Sequence, residues 1–334
     1  MADRSAARRV VDIVTGAWQS QALYAAVALG LADHIAAGHL TDEKLAAAAG
    51  ADEDAITRLM RLLTAMEVFG GNGRDGYRPT AVSECLREGA DQSMSDMVRI
   101  YGEEFHRAWG SVVPAVRSGT SGFAHAFGTT LHAYLRDEPS AGPKFQRAMN
   151  AGNVFFPDVL DAFDFGGVRT VVDVAGGSGS LLATVMRAHP GVHGVLFDQP
   201  HMLPIAARYL DEAVGPGRYA TRGGDIFHEV PGGADVYLLS RVLQDWDDEH
   251  CVRLLSTVRR AMPDASRLLI VERVIPEDGS HLLPLLWDLH LLMAAGGRER
   301  TGPGYAAVLG AAGFRTESVH PLALETSLLV AAPA

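Results

Sequence analysis

Thr170-Val-Val-Asp-Val-Ala-Gly-Gly-Ser-Gly-Ser-Leu-Leu182 decides the fold. A β-branched apolar run over Thr170–Ala175 passes into a glycine-rich turn, which opens a helix over Ser178–His189. Glycines let a backbone approach a ligand closely and take conformations closed to other residues. Such a turn at the carboxyl end of the first strand is the usual ligand crevice of an open α/β sheet. The order Gly176-Gly177-Ser178-Gly179 does not fit GxGxxG, and Asp173 stands just ahead of it. A carboxylate there repels a pyrophosphate and attracts a cation, so the turn suits a ligand carrying an ammonium group better than a dinucleotide.

Downstream the same texture repeats. Gly194–Asp198, Asp235–Ser240 and Arg267–Glu272 read as strands, with helices over His201–Glu212 and Glu249–Met262 between them. Phe314–His320 and Ser327–Ala332 read as two further strands around a short turn. Alternation of strand and helix implies a mostly parallel sheet with helices on both faces. Asp198 ends the second strand, where a carboxylate suits a ribose diol or else caps the following helix. Gln199 adjoins it. Gly224-Asp225-Ile226-Phe227 follows a third strand; Asp225 can accept from an adenine amino group, with Ile226 or Phe227 packed on the ring, or can simply be a turn aspartate.

Upstream, residues 1–105 read as helical. Leu23, Val27, Leu31 and Ile35 recur at helical spacing. Thr41 caps a helix over Asp42–Ala49 that Gly50 stops, and Asp52 caps a second, with Ile56, Leu59, Met60, Leu63 and Met66 as its apolar stripe. Gly70–Gly73 reads as a turn and Tyr77–Thr80 as a returning strand, completing a winged-helix outline. Its presumed recognition helix opens with Asp52, Glu53 and Asp54, where a DNA reader places donors. The chain of 334 residues carries 40 acidic against 29 basic side chains, a formal charge of -11. That balance argues against nucleic acid and anionic membrane as partners and favours a dimerising module. The N-terminal stretch is charged early, no apolar run reaches membrane length, and Cys85 and Cys251 form no metal or redox motif. The expectation is a cytoplasmic protein without metal. The division expected is a helical domain over 1–105, then linking helices and an α/β domain over 106–334.

The chain resembles the plant-type small-molecule O-methyltransferases and their actinomycete counterparts in aromatic polyketide and antibiotic biosynthesis. The matching stretches are Asp173-Val-Ala-Gly-Gly-Ser-Gly, Leu196-Phe-Asp-Gln-Pro, Gly224-Asp-Ile-Phe, Val242-Leu-Gln-Asp-Trp-Asp-Asp-Glu-His-Cys and Gly296-Gly-Arg-Glu-Arg-Thr. The resemblance implies a winged-helix-like dimerisation domain, a Rossmann-like domain with a seven-stranded sheet, a homodimer, and S-adenosylmethionine as methyl donor. It implies that Asp173, Gly176, Gly177, Gly179, Asp198, Gln199, Asp225, Ile226 and Phe227 hold the cofactor, with Ser240 and Asn153 near its methionine end. Ala175 replaces the first glycine of the family's turn, which is tolerable if the backbone there has negative φ.

Family members commonly place a catalytic histidine in an HDW triplet, and this chain has Gln244-Asp245-Trp246. A glutamine cannot take a proton at neutral pH. Three readings follow. The acceptor hydroxyl is acidic and Gln244 only orients it; or a base comes from elsewhere, His290, His106 or His132; or the chain is a repurposed relative that binds the cofactor and hydroxylates. A ligand-sensing winged-helix regulator is the competing class. Asp245 joins Gln244 and His290 as a catalytic candidate, although His290, in an apolar helix, also reads as a core histidine. Trp109, Phe145, Met149, Phe156, Trp246, Trp287 and Met293 are candidates for an aromatic acceptor pocket. Arg8 and Arg9 on the first helix could meet a substrate carboxylate or merely face solvent. The acceptor's identity, and whether it is free or tethered to a carrier protein, is not written in the sequence.

Overall fold

The computed structural model of the chain describes residues 4–90 and 93–334. Its contacts divide the chain into two units, one of residues up to Arg107 with Leu135–Gly152, the other of Ala108–Tyr134 with Asn153–Ala334.

In the first unit a helix over Arg4–Ala28 is followed by Gly30 in the left-handed region and a second helix, Leu31–Ala36. The break divides the Leu23–Ile35 stripe between two helices. The two caps form as the residue types dictate: Thr41 Oγ1 accepts from the Lys44 N–H and Asp52 Oδ1 from the Ala55 N–H at 2.9 Å, while Gly50 closes the first of these helices at φ 62°. Glu53–Ala65 buries Ile56, Met60 and Leu63. A hairpin of β1 (Gly70–Asn72) and β2 (Gly76–Arg78) completes the winged-helix outline. The turn lies one step later than the glycine cluster suggests. Gly70–Asn72 is strand, and the Asn72 side chain accepts from the N–H groups of Arg74 and Asp75 to make the turn beyond it. The helix Ala141–Ala151 joins this unit through Arg147 to Asp96 (2.8 Å) and Lys144 to Glu104 (2.7 Å). Arg8 pairs with Asp12 on the exposed face of the first helix, where Val10, Val11, Ile13, Val14 and Trp18 are also exposed.

The second unit is built on β3 (Thr170–Val174), β4 (His193–Asp198), β5 (Tyr219–Gly223), β6 (Val236–Ser240), β7 (Arg267–Ile275), β8 (Arg300–Thr301), β9 (Phe314–Leu322) and β10 (Thr326–Pro333). The sheet order is β5-β4-β3-β6-β7-β10-β9, with the two-residue β8 alongside the end of β7. The first five run parallel, and β10 is antiparallel to both its neighbours. The order reverses between β3 and β6, so the carboxyl ends of these strands define the crevice. Two cores cover the faces. One gathers Tyr237, Leu254, Leu268 and Tyr305; the other gathers Val171, Leu182, Leu196 and Leu269. Strands buried on both faces explain the near-continuous apolar runs read from sequence. Among the described residues no helix is long and apolar enough to cross a membrane.

One residue departs from expectation. Ala175, directly after β3, has φ 55° rather than a negative value. An L-residue in the left-handed region carries about 1–2 kcal/mol of strain that glycine does not. The Ala175 N–H still donates to Phe197 O at 2.7 Å, so the position is held by the neighbouring strand. Ala175→Gly should raise stability by about 0.5–1 kcal/mol after the entropy of the added glycine is counted. Thermal unfolding of ligand-free protein checks this; an unchanged or lower midpoint contradicts it.

Candidate active site

Asp173 lies at the fourth position of β3 and is 1% exposed. Neither of its carboxylate oxygens has a hydrogen-bond partner among the described residues. Burial, reinforced by the Asp198 carboxylate, pushes its pKa up to about 7; the Leu182 backbone N–H opposes this without reaching hydrogen-bond geometry. The turn beyond it requires its glycines. A Cβ on Gly176 would lie 2.5 Å from the Asp173 carboxyl carbon, and Gly179, at φ 81°, leaves only 3.0 Å to Leu196. Asp198 closes the turn from β4: its Oδ2 accepts from the Gly177 N–H at 2.8 Å and its Oδ1 from the Gln199 N–H at 2.6 Å. Burial raises the Asp198 pKa and those two donors hold it back. At the end of β6, Ser240 Oγ is buried without a partner among the described residues. Asn153 donates to Ser180 Oγ at 3.0 Å and accepts from Arg241 at 2.5 Å. An orphaned carboxylate and an orphaned hydroxyl on adjacent strand ends, beside a turn no side chain can fill, fit a ligand with an ammonium group and further polar atoms.

Asp225 is placed differently from its sequence reading. It is exposed, its Oδ1 accepts from the Phe227 N–H at 2.9 Å, and its Oδ2 pairs with His228. It forms its own turn, and Ile226 and Phe227 behind it are half-buried against the core.

The Gln244-Asp245 pair sits in a 3-10 turn, Leu243–Asp245, held by groups that sequence reasoning had not singled out. Glu272 of β7 is 0% exposed, and its Oε1 accepts from the N–H groups of Val242 (2.9 Å), Leu243 (2.8 Å) and Gln244 (3.4 Å). Arg300 donates to the carbonyls of Leu243 (3.0 Å) and Trp246 (2.7 Å) and pairs with Asp248 (2.8 Å). The Arg298 N–H donates to Gln244 O at 2.8 Å, and a Cβ on Gly297 would lie 2.1 Å from that oxygen. Gly297 is therefore required for Gly296-Gly-Arg-Glu-Arg to lie against the turn. The half-buried Asp245 has its pKa pushed up to about 7 by burial, against the Arg241 charge and the Gln244 side chain. The signal for Glu272 was in the sequence: Glu272-Arg273 interrupts an apolar strand, and buried charges demand partners.

The histidines offered as alternative bases fare unequally. His290 is 7% exposed, and its Nδ1 accepts from Trp109 Nε1–H at 3.1 Å. Burial, then the Arg273 charge, lowers its pKa to about 4. With the Nδ1 lone pair engaged and the proton affinity depressed, it is a poor general base. His132 is also lowered by burial and stacks on Trp246. His106 is exposed on its helix. Among the pocket candidates, Trp109 and Trp287 both contact His290, Trp246 stacks separately on His132, and Arg273 covers the Trp287 ring at 4.4 Å. Phe156 and Met293 are core residues instead, Phe156 packing edge-on to Phe155. Phe145 and Met149 belong to the first unit.

The Arg300 clamp yields a prediction. Arg300→Met should cost about 1–3 kcal/mol, because the Leu243 and Trp246 carbonyls lose their charged donor and keep only the weak Cys251 thiol and, at Leu243, the long Trp246 N–H contact. Urea unfolding measures it; a loss under about 1 kcal/mol would show that other donors fill the gap.

Comparisons with known proteins place these observations. Residues 109–315 match the O-methyltransferase domain and residues 11–89 the O-methyltransferase dimerisation domain. A phenazine-1-carboxylate N-methyltransferase of Pseudomonas aeruginosa is 44% identical over 330 residues, covering 99% of this chain and 98% of its own. A 3-amino-4-hydroxybenzoate 4-O-methyltransferase of Streptomyces cremeus is 42% identical over 335 residues, 98% and 90% of the two chains. The solved structure of human N-acetylserotonin methyltransferase in complex with S-adenosylmethionine superposes with a TM-score of 0.90 at 28% identity, covering 100% of this chain and 99% of that one. The α/β unit with its methyltransferase crevice, the winged-helix outline ahead of it and both domain matches have one explanation: the chain belongs to the plant-type O-methyltransferase family and is a methyltransferase.

Proposed function

We propose that the chain methylates an acidic hydroxyl on a small aromatic ring, one that carries a carboxyl or another electron-withdrawing group. The observation that carries this is Gln244 in place of a base, together with a His290 whose Nδ1 is already taken by Trp109. Gln244 orients the hydroxyl, Asp245 stands beside it, and Trp109, Trp246 and Trp287 offer flat surfaces to a ring. S-adenosylmethionine is the methyl donor and supplies an electrophilic methyl group on a sulfonium. Asp173 holds the ammonium group, and Asp198 with Gln199 faces the ribose. Gly176, Gly177 and Gly179 keep the approach open. Ser240 and Asn153 lie toward the methionine end, and Ile226 and Phe227 pack on the adenine. Asp225 supports them through its turn. A large part of the work of the site is alignment: holding an oxygen in line with the methyl group can offset several kcal/mol of barrier. The protein acts as a homodimer through its dimerisation domain, whose first helix leaves Val10, Val11, Ile13, Val14 and Trp18 to be covered. The hydroxylase and regulator readings gain nothing from relatives named as methyltransferases.

A second reading has its own support. An aromatic ring nitrogen has no proton to lose, so a site without a histidine base suits it equally, and the Pseudomonas relative is named as an N-methyltransferase. Mass spectrometry and NMR of the product from a panel offering phenol and ring nitrogen, as free acids and as carrier-protein thioesters, separate the two. A panel that yields methylated nitrogen and no methyl ether removes the hydroxyl reading.

Two predictions follow from the assigned roles. Asp173 is largely neutral below its raised pKa of about 7 and charged above it. Binding of S-adenosylhomocysteine, which carries the same ammonium group, should favour the carboxylate and release a proton at and below pH 7. Affinity should weaken as pH falls from about 7.5 to 5.5. Calorimetry in buffers of different ionisation enthalpy reads the proton directly, and zero release at pH 6.5 removes Asp173 from the ammonium site. For the acceptor, turnover at neutral pH should rise as the phenol becomes more acidic. Gln244→Ala should cost only one hydrogen bond, about 0.5–1.5 kcal/mol. Rates against pH for two phenols of different pKa, in wild type and in His290→Ala, provide the check. Profiles indifferent to phenol pKa that collapse in His290→Ala would make His290 the base.

A further inference from the structure

Beneath the Gln244-Asp245 turn lie two carboxyl groups whose oxygens are not accounted for. Glu272 Oε1 is fully used by the three turn N–H groups, but Glu272 Oε2 is buried with no partner among the described residues. Glu299 is 4% exposed, and both of its carboxyl oxygens are likewise buried and unpartnered. Its main chain is fixed on both sides, by its own N–H donating to Asp288 Oδ1 at 2.9 Å and by the Arg298 N–H donating to Gln244 O at 2.8 Å. The Tyr305 hydroxyl beside them is buried without a partner too. Three acceptor oxygens with no donor cannot belong to two carboxylates at a stable site; one proton held between the groups pairs two of them and removes one of the two buried charges. The donors decide which group holds it. Glu272 has three N–H groups stabilising its charge, and Glu299 has none.

We propose that Glu299 is a neutral carboxylic acid donating its proton to Glu272 at neutral pH, and that this arrangement leaves Asp245 as the carboxylate that takes the acceptor's proton. The charged groups around the pair agree. Burial and the Glu272, Asp288 and Asp245 carboxylates all raise the Glu299 pKa, and only Arg273 opposes them. Burial and Asp245 raise that of Glu272 against the turn N–H groups. Burial, and after it the pair, lifts the pKa of Tyr305. Burial sets the pKa of the half-buried Asp245 at about 7 against the Arg241 charge and the Gln244 side chain, and a neutral Glu299 adds no further negative charge beside it. A base of that strength matches an acidic hydroxyl and not an ordinary alcohol. In the step, the acceptor O–H bond breaks and its proton bonds to an Asp245 oxygen. The acceptor oxygen's electron pair forms the O–CH3 bond, and the methyl–sulfur pair remains on sulfur. Asp245 is the catalytic residue here; Glu299 and Glu272 are positioning residues that act through it. The Asp245 half of this proposal rests on the hydroxyl reading given above.

The test uses the full-length protein. The infrared difference spectrum of wild type minus Glu299→Gln at pH 7, in H2O and D2O, should show a protonated carboxylic acid band, the contributions of Asp173 and Asp245 cancelling; this arm needs no acceptor. Single-turnover rates are then measured against pH with a phenol of pKa above about 9, so that any limb near pH 7 belongs to the protein. Asp245→Asn should lower the rate 10²–10⁴-fold and abolish that limb, with S-adenosylhomocysteine affinity unchanged. In Glu299→Gln the midpoint of the limb should stay near 7, because one neutral group replaces another. A difference spectrum without that band, a midpoint that falls by a unit or more, or wild-type turnover in Asp245→Asn overturns the proposal. If no phenol yields a methyl ether, the hydroxyl reading fails and with it the role of Asp245, while the infrared band still decides the state of Glu299.

Discussion

The burial of carboxyl groups at the carboxyl ends of parallel strands is the constraint on which the second unit depends. Asp173 on β3 and Glu272 on β7 flank the end of β6, and both are withdrawn from water. Burying an unpaired carboxylate is expensive, so each must find donors, find a cation or keep its proton. The structure uses different answers within one sheet. Glu272 organises three backbone N–H groups and thereby shapes the turn that carries Gln244 and Asp245. Asp173 is left with nothing, a state a protein tolerates where a ligand is to complete it. The strand ends are thus structural on one side of the crevice and receptive on the other.

Much of this was legible in the residues. The strand-to-glycine-turn signature, the β/α alternation and the caps at Thr41 and Asp52 are local rules, and the structure obeys them. What escaped was set by tertiary context. The φ of Ala175 is imposed by its bond to Phe197 O and by the glycine turn that follows; no propensity of alanine announces it. Asp225 reads as a ligand to adenine because of its place after a strand, and the structure adds that its two oxygens also organise the local turn, through the Phe227 N–H and His228. Phe156 and Met293 have the composition of a pocket and the position of a core, and period alone cannot separate the two.

The catalytic turn shows the same division between motif and environment. Gly296-Gly-Arg-Glu-Arg was visible as a matching stretch, yet the separate duties within it appear only in three dimensions. Gly297 permits contact with the Gln244 carbonyl, Arg300 ties down the turn, and Glu299 enters the buried acid group. His290 shows the reverse case. It has the right chemistry by type, and its surroundings, a Trp109 donor and a nearby Arg273, take that chemistry away.

The discontinuous first unit has a consequence for how the chain is made. Because Leu135–Gly152 belongs with the residues before Arg107, the backbone passes between the units at 107–108, 134–135 and 152–153. A ribosome therefore cannot finish the N-terminal unit when residue 107 emerges. The partners of Asp96 and Glu104, on Arg147 and Lys144, arrive some forty residues later. By then a stretch of the second unit has already been synthesised without its sheet. The first unit thus waits on residues made after part of the second, and a single proteolytic cut within 108–134 or 135–152 leaves neither unit covalently whole.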